Sequence, residues 1–281
     1  MKGFGTYTWF GYVADFGERL KAIRQAGFDT VFTFWDRVMG EADAPLEEHV
    51  MMAKNAGLVL ENAHLPYYGC NVLWKDCADA DSLMKIYEDG ILTAGRCGPK
   101  TLVIHPCEVF PPADGFFDAM TDHMRKLVDL ASENGIRLAF ENLGENDTVR
   151  RLLHIFDNEP MAGLCFDSGH NNLAAGNDFS LLEEFSGRIF ALHIHDNDGM
   201  KDQHLLPYSA GCVIDWKKEY EALSSCAFEG SLMLEACYPV DYDSLEGNEM
   251  YYVNPSYPME DWLRDAAGAC EKIYSEKSDT R

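Results

Sequence analysis

Apolar and polar positions alternate along the chain in stretches of two different lengths. Short runs rich in β-branched and aromatic residues, typical of buried strands, recur between longer stretches with helical spacing of apolar residues. The predicted strands are GTYTWF at 5–10, TVFTFW at 30–35, LVLENAH at 58–64, TLVIHP at 101–106, IRLAFEN at 136–142, AGLCFD at 162–167, IFALHIHD at 189–196 and SLMLEAC at 231–237. Repeated strand–helix units of this kind are typical of a parallel sheet.

Several of the predicted helices, such as ERLKAIRQAG and FDAMTDHMRKLVDLASENG, close on a glycine where a helix C-cap belongs. A doubly wound sheet shares this alternation, but it usually has a Gly-rich phosphate loop after its first strand, and none follows here. The length of 281 residues accommodates one barrel of about 250 residues. We therefore predict an α/β fold, a (β/α)₈ TIM barrel in a single domain over 1–281, with the last few residues as a flexible tail.

The composition narrows the partners and the location. Acidic residues number 47 against 23 basic ones, and this net charge of -24 disfavours nucleic acid and anionic membranes as partners. The nine cysteines form no C-x-x-C pair, so we expect reduced thiols and a cytoplasmic protein. The opening MKGFGTYTWFGYVADF is interrupted by Gly and Asp, so we expect neither a signal peptide nor a membrane span there.

Histidines and carboxylates stand at or just after the ends of successive predicted strands. These residues are His64, His105, Glu141, Asp167, His170, His193, His195, Asp202, His204 and Glu235. In a barrel all strand ends face one mouth, where so many charged groups need a common partner, and a divalent cation is the simplest one. Mixed imidazole and carboxylate ligands suit Zn, Mn, Co or Fe better than Ca or Mg.

Other residues have weaker signals. His49, His123 and His154 fall within predicted helices, where a solvated or capping role is expected. Cys107 and Cys237 lie close to the mouth in sequence, but we do not expect them to be ligands. Aromatic residues on strand ends and loops, Trp9 and Tyr67 foremost, either stack on a sugar ring or pack the loops.

The motifs FEN with Glu141, FDSGH with Asp167 and His170, HIHDNDGMKDQH from His193 to His204, and LEA with Glu235 resemble a known family. They are similar to the xylose isomerase-like barrels of the sugar phosphate isomerase/epimerase superfamily, which also includes the endonuclease IV type of apurinic-site nuclease. The similarity runs from the first strand to the last helix.

The resemblance to the epimerases implies a divalent-metal-dependent sugar, sugar-phosphate or polyol isomerase or epimerase. Its metal, with Mn favoured and Zn, Co or Mg as alternatives, would be held by Glu141, Asp167, His193 and Glu235. His170 would lie close to the substrate. Glu141 and Glu235 would move the proton next to a carbonyl through an enediolate intermediate.

The resemblance to the endonuclease branch implies a fuller ligand set, which adds His64, His105, His170, Asp202 and His204. A cluster of two or three zinc ions that cleaves phosphate esters is the alternative function, and a related lyase or hydratase on keto-sugars is another. The loop YPVDYDSLEGNEMYYVNP at 238–255 has several acids and no Lys or Arg, which disfavours a nucleic acid substrate. The sequence leaves open which sugar is bound and whether the chain forms a homo-oligomer.

Overall fold

Eight strands form one parallel sheet in the order β7-β6-β5-β4-β3-β2-β1-β8 in the computed structural model, which describes residues 1, 3–35, 45–238 and 256–276. The strands are β1 Phe4–Tyr7, β2 Thr30–Phe34, β3 Val59–His64, β4 Thr101–Ile104, β5 Arg137–Glu141, β6 Ala162–Asp167, β7 Ile189–His193 and β8 Leu232–Leu234. Each lies within or next to a predicted run, and the TIM barrel prediction is confirmed.

The two outer strands of this sheet meet just beyond their ends and nearly close the barrel. Ile194, which follows β7, pairs in parallel with Leu234 of β8. The Ile194 amide donates to the Met233 carbonyl at 2.8 Å, and the Glu235 amide donates to the Ile194 carbonyl at 2.9 Å. This junction brings the segment after β7 beside the segment after β8, where several of the predicted site residues lie.

Helices separate the strands and cover the barrel. They are α1 Phe16–Gln25, α2 Leu46–Asn55, α3 Ala78–Cys97, α4 Phe117–Glu133, α5 Asp147–Ile155, α6 Ser168–Ala175, α7 Ser180–Glu184, α8 Trp216–Ser225 and α9 Met259–Ser275, with a 3₁₀ helix at Cys70–Trp74. Gly27 and Gly57, which end the first two helical segments, have φ values of 102° and 80°. This left-handed conformation is open to glycine without strain, so these two residues turn the chain from helix to strand.

The barrel interior is filled by side chains rather than by a channel. Tyr7 stacks on Phe32 with ring centroids 4.5 Å apart, and Phe32 stacks in turn on His193 at 4.6 Å. Because side chains two residues apart on a strand share a face, alternate residues of each strand form layers inside the barrel. The uppermost layer carries the predicted site residues.

Two of the helical histidines were wrongly expected to be solvated. His49 is fully buried against Phe16 and Trp35, and His123 is 5% exposed, with Nδ1 2.8 Å from the Leu73 carbonyl oxygen. Both lie on the faces of helices that pack inward, and an imidazole ring has enough apolar surface to be buried there. His154 is half exposed and lies 2.7 Å from Glu184, as a solvated role requires.

All nine cysteines are free thiols. None of the helices in the described parts of the chain combines the length and apolar character needed to cross a lipid bilayer.

Candidate metal centre

Six consecutive strands deliver an acidic or imidazole side chain to the same end of the barrel. The residues are His64 at the end of β3, His105 just after β4, Glu141 at the end of β5, Asp167 at the end of β6, His193 at the end of β7 and Glu235 just after β8. Parallel strands place their carboxyl ends at one mouth, so the direction of the strands alone brings these groups together.

A central group of four residues has the tightest convergence. One ligand atom each of Glu141, Asp167, His193 and Glu235 lies within 4.8 Å of all the others. His193 Nδ1 lies 3.0 Å from Glu141 Oε2 and 3.1 Å from Glu235 Oε2. Glu235 is the most accessible of the four, and the other three are almost fully buried. These four are the residues that the resemblance to the epimerases implies as metal ligands.

A second group shares Glu141 with the first. His64 Nε2 and His105 Nε2 lie 3.3 Å and 3.4 Å from Glu141 Oε2, and the three residues meet the same convergence criterion. His64 Nδ1 lies 2.6 Å from the Leu65 carbonyl oxygen, which can only accept a hydrogen bond. Nδ1 therefore donates its proton to that carbonyl, and Nε2 is the ring nitrogen that faces Glu141.

A third group, His195, Asp202 and His204, lies on the segment after β7. His204 Nδ1 donates to the Glu235 carbonyl oxygen at 2.9 Å, and its Nε2 lies at hydrogen-bond distance, 3.1 Å, from Asp202 Oδ2. His204 has a φ of 48°, a strained conformation for a residue with a side chain. His170 joins the groups, because its two ring nitrogens lie 3.3 Å from Glu141 Oε1 and 3.2 Å from Asp202 Oδ2.

The charges of this site depend on one another. Burial opposes ionisation of Glu141, but the imidazoles of His193 and His105 outweigh it and hold the pKa of the carboxyl well below its usual range. Burial lowers the pKa of His105. His204 is also buried, yet Asp202 raises the pKa of its imidazole to about 10. The carboxylates therefore favour positive charge at this mouth.

Many of the buried polar atoms here have no hydrogen-bond partner among the described residues. They are His105 Nδ1, Glu141 Oε2, His170 Nδ1, both ring nitrogens of His193, and His195 Nδ1. Buried polar atoms without partners are rare in native proteins. Glu141 Oε2 lies within 3.4 Å of a ring nitrogen of each of His64, His105 and His193 but has no hydrogen bond to any of them, as expected of atoms that point toward a shared centre.

All nine residues predicted for the metal or the substrate side of the site lie in this cluster, and the aromatic candidates divide. Tyr67 packs its ring against His64 and His105, with centroids 5.6 Å and 5.0 Å apart. Trp9 also follows a strand end, but its ring lies under the Arg19 guanidinium at 5.1 Å. Tyr67 is therefore the better placed of the two to contact a ligand, and Trp9 fits loop packing.

Cys165 is a buried neighbour of the site that the sequence reasoning missed. Its thiol, Glu141 and His193 form a further convergent group, and burial raises the pKa of the thiol to about 12. The signal was present, because Cys165 stands two residues before Asp167 on the same strand and so faces the same way. Cys107 and Cys237, which we did not expect to be ligands, belong to none of the convergent groups of the described residues.

Asp196 and Asp198, which follow the H-I-H sequence, form hydrogen bonds with residues of the segment after β7. Asp196 accepts a hydrogen bond from the Trp216 indole at 2.7 Å, and Asp198 accepts one from the Met200 amide at 2.8 Å. The acidic stretch that we predicted after the last strand lies, from residue 239 onward, outside the described residues.

Comparisons with known proteins agree with the fold and the motifs. A family model described as a xylose isomerase-like TIM barrel matches residues 20–268. The uncharacterized protein y4fM of Sinorhizobium fredii is 31% identical over 144 residues, which cover 51% of this chain and 44% of that protein. The chain spans about half the length of the curated relatives it matches.

Solved structures of sugar epimerases superimpose on the whole barrel. An L-ribulose 3-epimerase has a TM-score of 0.74 and 16% identity, covering 100% of this chain and 99% of its own. A D-psicose 3-epimerase from Clostridium cellulolyticum H10, solved with D-tagatose, has a TM-score of 0.74 and 14% identity, covering 98% of this chain and 99% of its own. At such low identity the likeness shows a shared fold.

Proposed function

Because the chain belongs to the xylose isomerase-like TIM barrel family, we propose that it is a divalent-metal-dependent isomerase or epimerase of a sugar or sugar phosphate. The observation that carries the proposal is the convergence of Glu141, Asp167, His193 and Glu235 at the mouth of the barrel. The epimerase structures with the same fold support the substrate class. The proposal takes residues 1–281 as one domain and a small sugar, rather than a nucleic acid, as the substrate.

The four residues fit a divalent cation. They offer three carboxylates and one imidazole, a donor set typical of Mn, Co or Zn sites. Glu141 Oε2 and His193 Nδ1 are buried without hydrogen-bond partners among the described residues, and a cation would satisfy both. The carboxylates that hold a proton on the neighbouring imidazoles would equally attract a cation, which would displace that proton. When bound, such a cation supplies Lewis acidity that polarises a substrate carbonyl.

The protein's own contribution to the reaction is the movement of a proton. The imidazole neighbours of Glu141 hold its pKa well below the usual range, which keeps it ionised. We assign to this carboxylate the acceptance of the proton from the carbon next to the carbonyl. Glu235 Oε2 lies 3.1 Å from His193 Nδ1, the nitrogen that also faces Glu141, and the Glu235 side chain is more accessible than that of Glu141. We assign to it the return of a proton at the other face of that carbon.

His170 is placed to orient the substrate. Burial opposes its charge, but Asp167 and Asp202 raise the pKa of this imidazole well above its usual value. Its side chain is 13% exposed, at the edge between the buried carboxylates and the open mouth. Nε2 of this charged imidazole is hydrogen-bonded to Asp202, and once a substrate oxygen replaces that carboxylate it can donate to the substrate instead. Tyr67, next to the histidine rings, would cover one side of the sugar.

Solvent deuterium exchange tests the proposal. The protein is incubated with added Mn²⁺ and a panel of keto-sugars, free and phosphorylated, in D₂O. We expect deuterium to enter one carbon next to the carbonyl of at least one sugar, and the exchange to be lost in both Glu141→Gln and Glu235→Gln. Turnover that persists in both variants, or a metal-loaded protein that exchanges no sugar of the panel, would contradict the mechanism.

The second candidate function is a phosphoesterase with two or three zinc ions. An epimerase with a single metal does not need the second and third groups. The observation in favour of the phosphoesterase is that the second group shares Glu141 with the first, and the third group lies next to Asp167. Metal analysis separates the two functions. One Mn or Co per chain favours the epimerase, and two or three Zn ions per chain, with hydrolysis of a small phosphate ester, favour the phosphoesterase.

A further inference from the structure

His195 is a buried imidazole to which the proposed epimerase reaction assigns no role, although it belongs to the third group. It follows β7 by two residues, has no exposed surface and lies beside the four-residue group rather than in it. The H-I-H sequence makes it a neighbour of His193 along the chain. Its role must therefore be found in its contacts.

The imidazole of His195 forms its hydrogen bond with a proposed metal ligand. Its Nε2 lies 3.1 Å from Asp167 Oδ2 with the geometry of a hydrogen bond, whereas Asp202 Oδ1 is 3.8 Å away. The carboxylate can only accept, so Nε2 carries the proton and donates it. The other oxygen of Asp167 accepts a hydrogen bond from the His170 amide at 2.6 Å. Each oxygen of this carboxylate is thus held by one donor.

Contacts to both the backbone and the ring hold His195 in place. The Ser168 hydroxyl donates to the His195 carbonyl at 2.7 Å and accepts from the His195 amide at 2.9 Å. The ring of His204 stacks on that of His195, with centroids 4.1 Å apart and an angle of 16° between the planes.

Gly169 leaves the space that the ring occupies, because a Cβ atom built on this glycine would overlap Cε1 of the imidazole. The Asn197 side chain donates to the Gly169 carbonyl at 2.9 Å and joins the two segments from the other side. The residues between Asp167 and His170 are therefore shaped around His195.

We propose that His195 is a positioning residue that holds the Asp167 carboxylate in the orientation needed for the cation, and that Ser168 and Gly169 lock its imidazole in place. The inference rests on the proposed function, because it assumes that Asp167 is a metal ligand. Hydrogen bonds to ligating groups restrict their rotation, and loss of such a bond weakens metal binding by roughly 10- to 100-fold.

Four substitutions in the full chain test this role. His195→Leu removes the donor at similar size, and His195→Gln retains an N–H group close to the position of Nε2. Gly169→Ala displaces the imidazole without changing any donor or charge. Gly268→Ala is the matched control, because a Cβ at that helical position of α9 meets nothing within 4 Å.

The measurements are the affinity and the number of bound Mn²⁺ ions, by equilibrium dialysis, and the visible spectrum of the Co²⁺-loaded protein. We expect His195→Leu and Gly169→Ala to weaken binding roughly 10- to 100-fold with an unchanged number of ions and an altered cobalt spectrum. We expect His195→Gln to recover most of the affinity, and Gly268→Ala to bind like the original protein. If His195→Leu does not fold, the Mn²⁺ affinities of Gly169→Ala and His195→Gln test the inference, and we expect the affinity of Gly169→Ala to be the lower of the two.

Three results would overturn the inference. Unchanged affinity in His195→Leu and Gly169→Ala would show that Asp167 needs no such support. The loss of one whole equivalent of metal would make His195 a ligand, together with Asp202 and His204. An unaltered protein that binds no divalent cation overturns this inference and the proposed function together. An unaltered protein that binds the cation but exchanges no sugar overturns only the function, because the affinity comparison still applies.

Discussion

Two neighbouring layers inside the barrel are equally buried but chemically opposite. The polar layer consists of His105, Glu141, Asp167 and His193. The apolar layer consists of Val103, Ala139, Cys165 and Ala191. Each residue of the apolar layer stands two positions before a residue of the polar layer, so the two point the same way from the same part of the barrel wall.

The difference shows what the ends of the strands are used for. The apolar layer needs no partner beyond its own packing, and its side chains are small. The polar layer buries charge and leaves several atoms without hydrogen bonds among the described residues, which costs stability unless a ligand satisfies them. Equal burial therefore has opposite meanings in the two layers, structural in one and functional in the other.

The largest effect is expected from neutralising the polar layer. Glu141→Gln keeps the shape of the side chain but removes the charge that would hold a cation and accept a proton. We expect the exchange rate with a keto-sugar to fall by about 10²- to 10⁴-fold, together with Mn²⁺ affinity.

Glu61→Gln is the matched control for that variant. The Glu61 carboxylate accepts hydrogen bonds from the Ser231 amide at 3.0 Å and from its hydroxyl at 2.8 Å, just before β8 begins and so at the other end of the barrel. We expect it to lower the melting temperature without changing metal binding. Equal loss of metal in both variants would contradict the assignment of the site to the polar layer.

The pH dependence should also separate the layers, because only the polar layer and its neighbours titrate. His204 has its pKa raised to about 10, so in the metal-free protein it contributes stability below its unfolded value of about 6.5 and loses it as the pH rises toward 10. Asp202, with a lowered pKa, contributes stability above about pH 4 and loses it in acid.

A cation requires neutral imidazoles, so its affinity should rise over the range in which the metal-free protein weakens. We expect Mn²⁺ to raise the melting temperature more at about pH 8.5 than at about pH 6.5, because these values lie between the unfolded and folded pKa values of His204. Thermal unfolding with and without the metal measures it. An increase that shrinks as the pH rises would contradict the interpretation of the histidines as ligands.

Substitution in the apolar layer should act through volume. Ala139→Leu adds atoms to a fully buried position below Glu141 and should lower the free energy of unfolding by about 1–3 kcal/mol. Ala78→Leu, on the exposed start of α3, is the control and should change it by less than about 0.5 kcal/mol. Denaturant unfolding measures both variants, and similar values for the two would mean that the layer is not tightly packed.

The smallest effect is expected at Cys165, the member of the apolar layer that also belongs to a convergent group. The thiol is near Glu141 and His193, but burial raises its pKa to about 12, so we expect it to remain a protonated packing group. Cys165→Ala should cost about 1 kcal/mol and leave the number of bound metal ions unchanged. A sulfur-to-cobalt charge-transfer band in the Co²⁺-loaded protein that disappears in this variant would move Cys165 into the polar layer.

Much of the fold could be predicted because the position of each strand and the direction of the chain along it follow from local sequence patterns. The run AGLCFD, predicted at 162–167, has the bounds of β6, Ala162–Asp167. Since each apolar run is followed by a helix, the strands must be parallel, and a polar residue at the end of a run must lie at the mouth. That reasoning placed Glu141, Asp167 and Glu235 at the mouth together with the other strand-end histidines and carboxylates, and the resemblance to the epimerases then singled them out as ligands.

What the tertiary structure alone decided is which of these groups face one another. The run IFALHIHD predicted a strand to 196, yet β7 ends at His193, and His195 turns toward Asp167 on the neighbouring strand. The same is true of His49 and His123, whose burial depends on how their helices lie against the barrel. Spacing along a strand fixes the face of a side chain, but contacts across the barrel depend on the positions of other strands, which no short stretch of sequence contains.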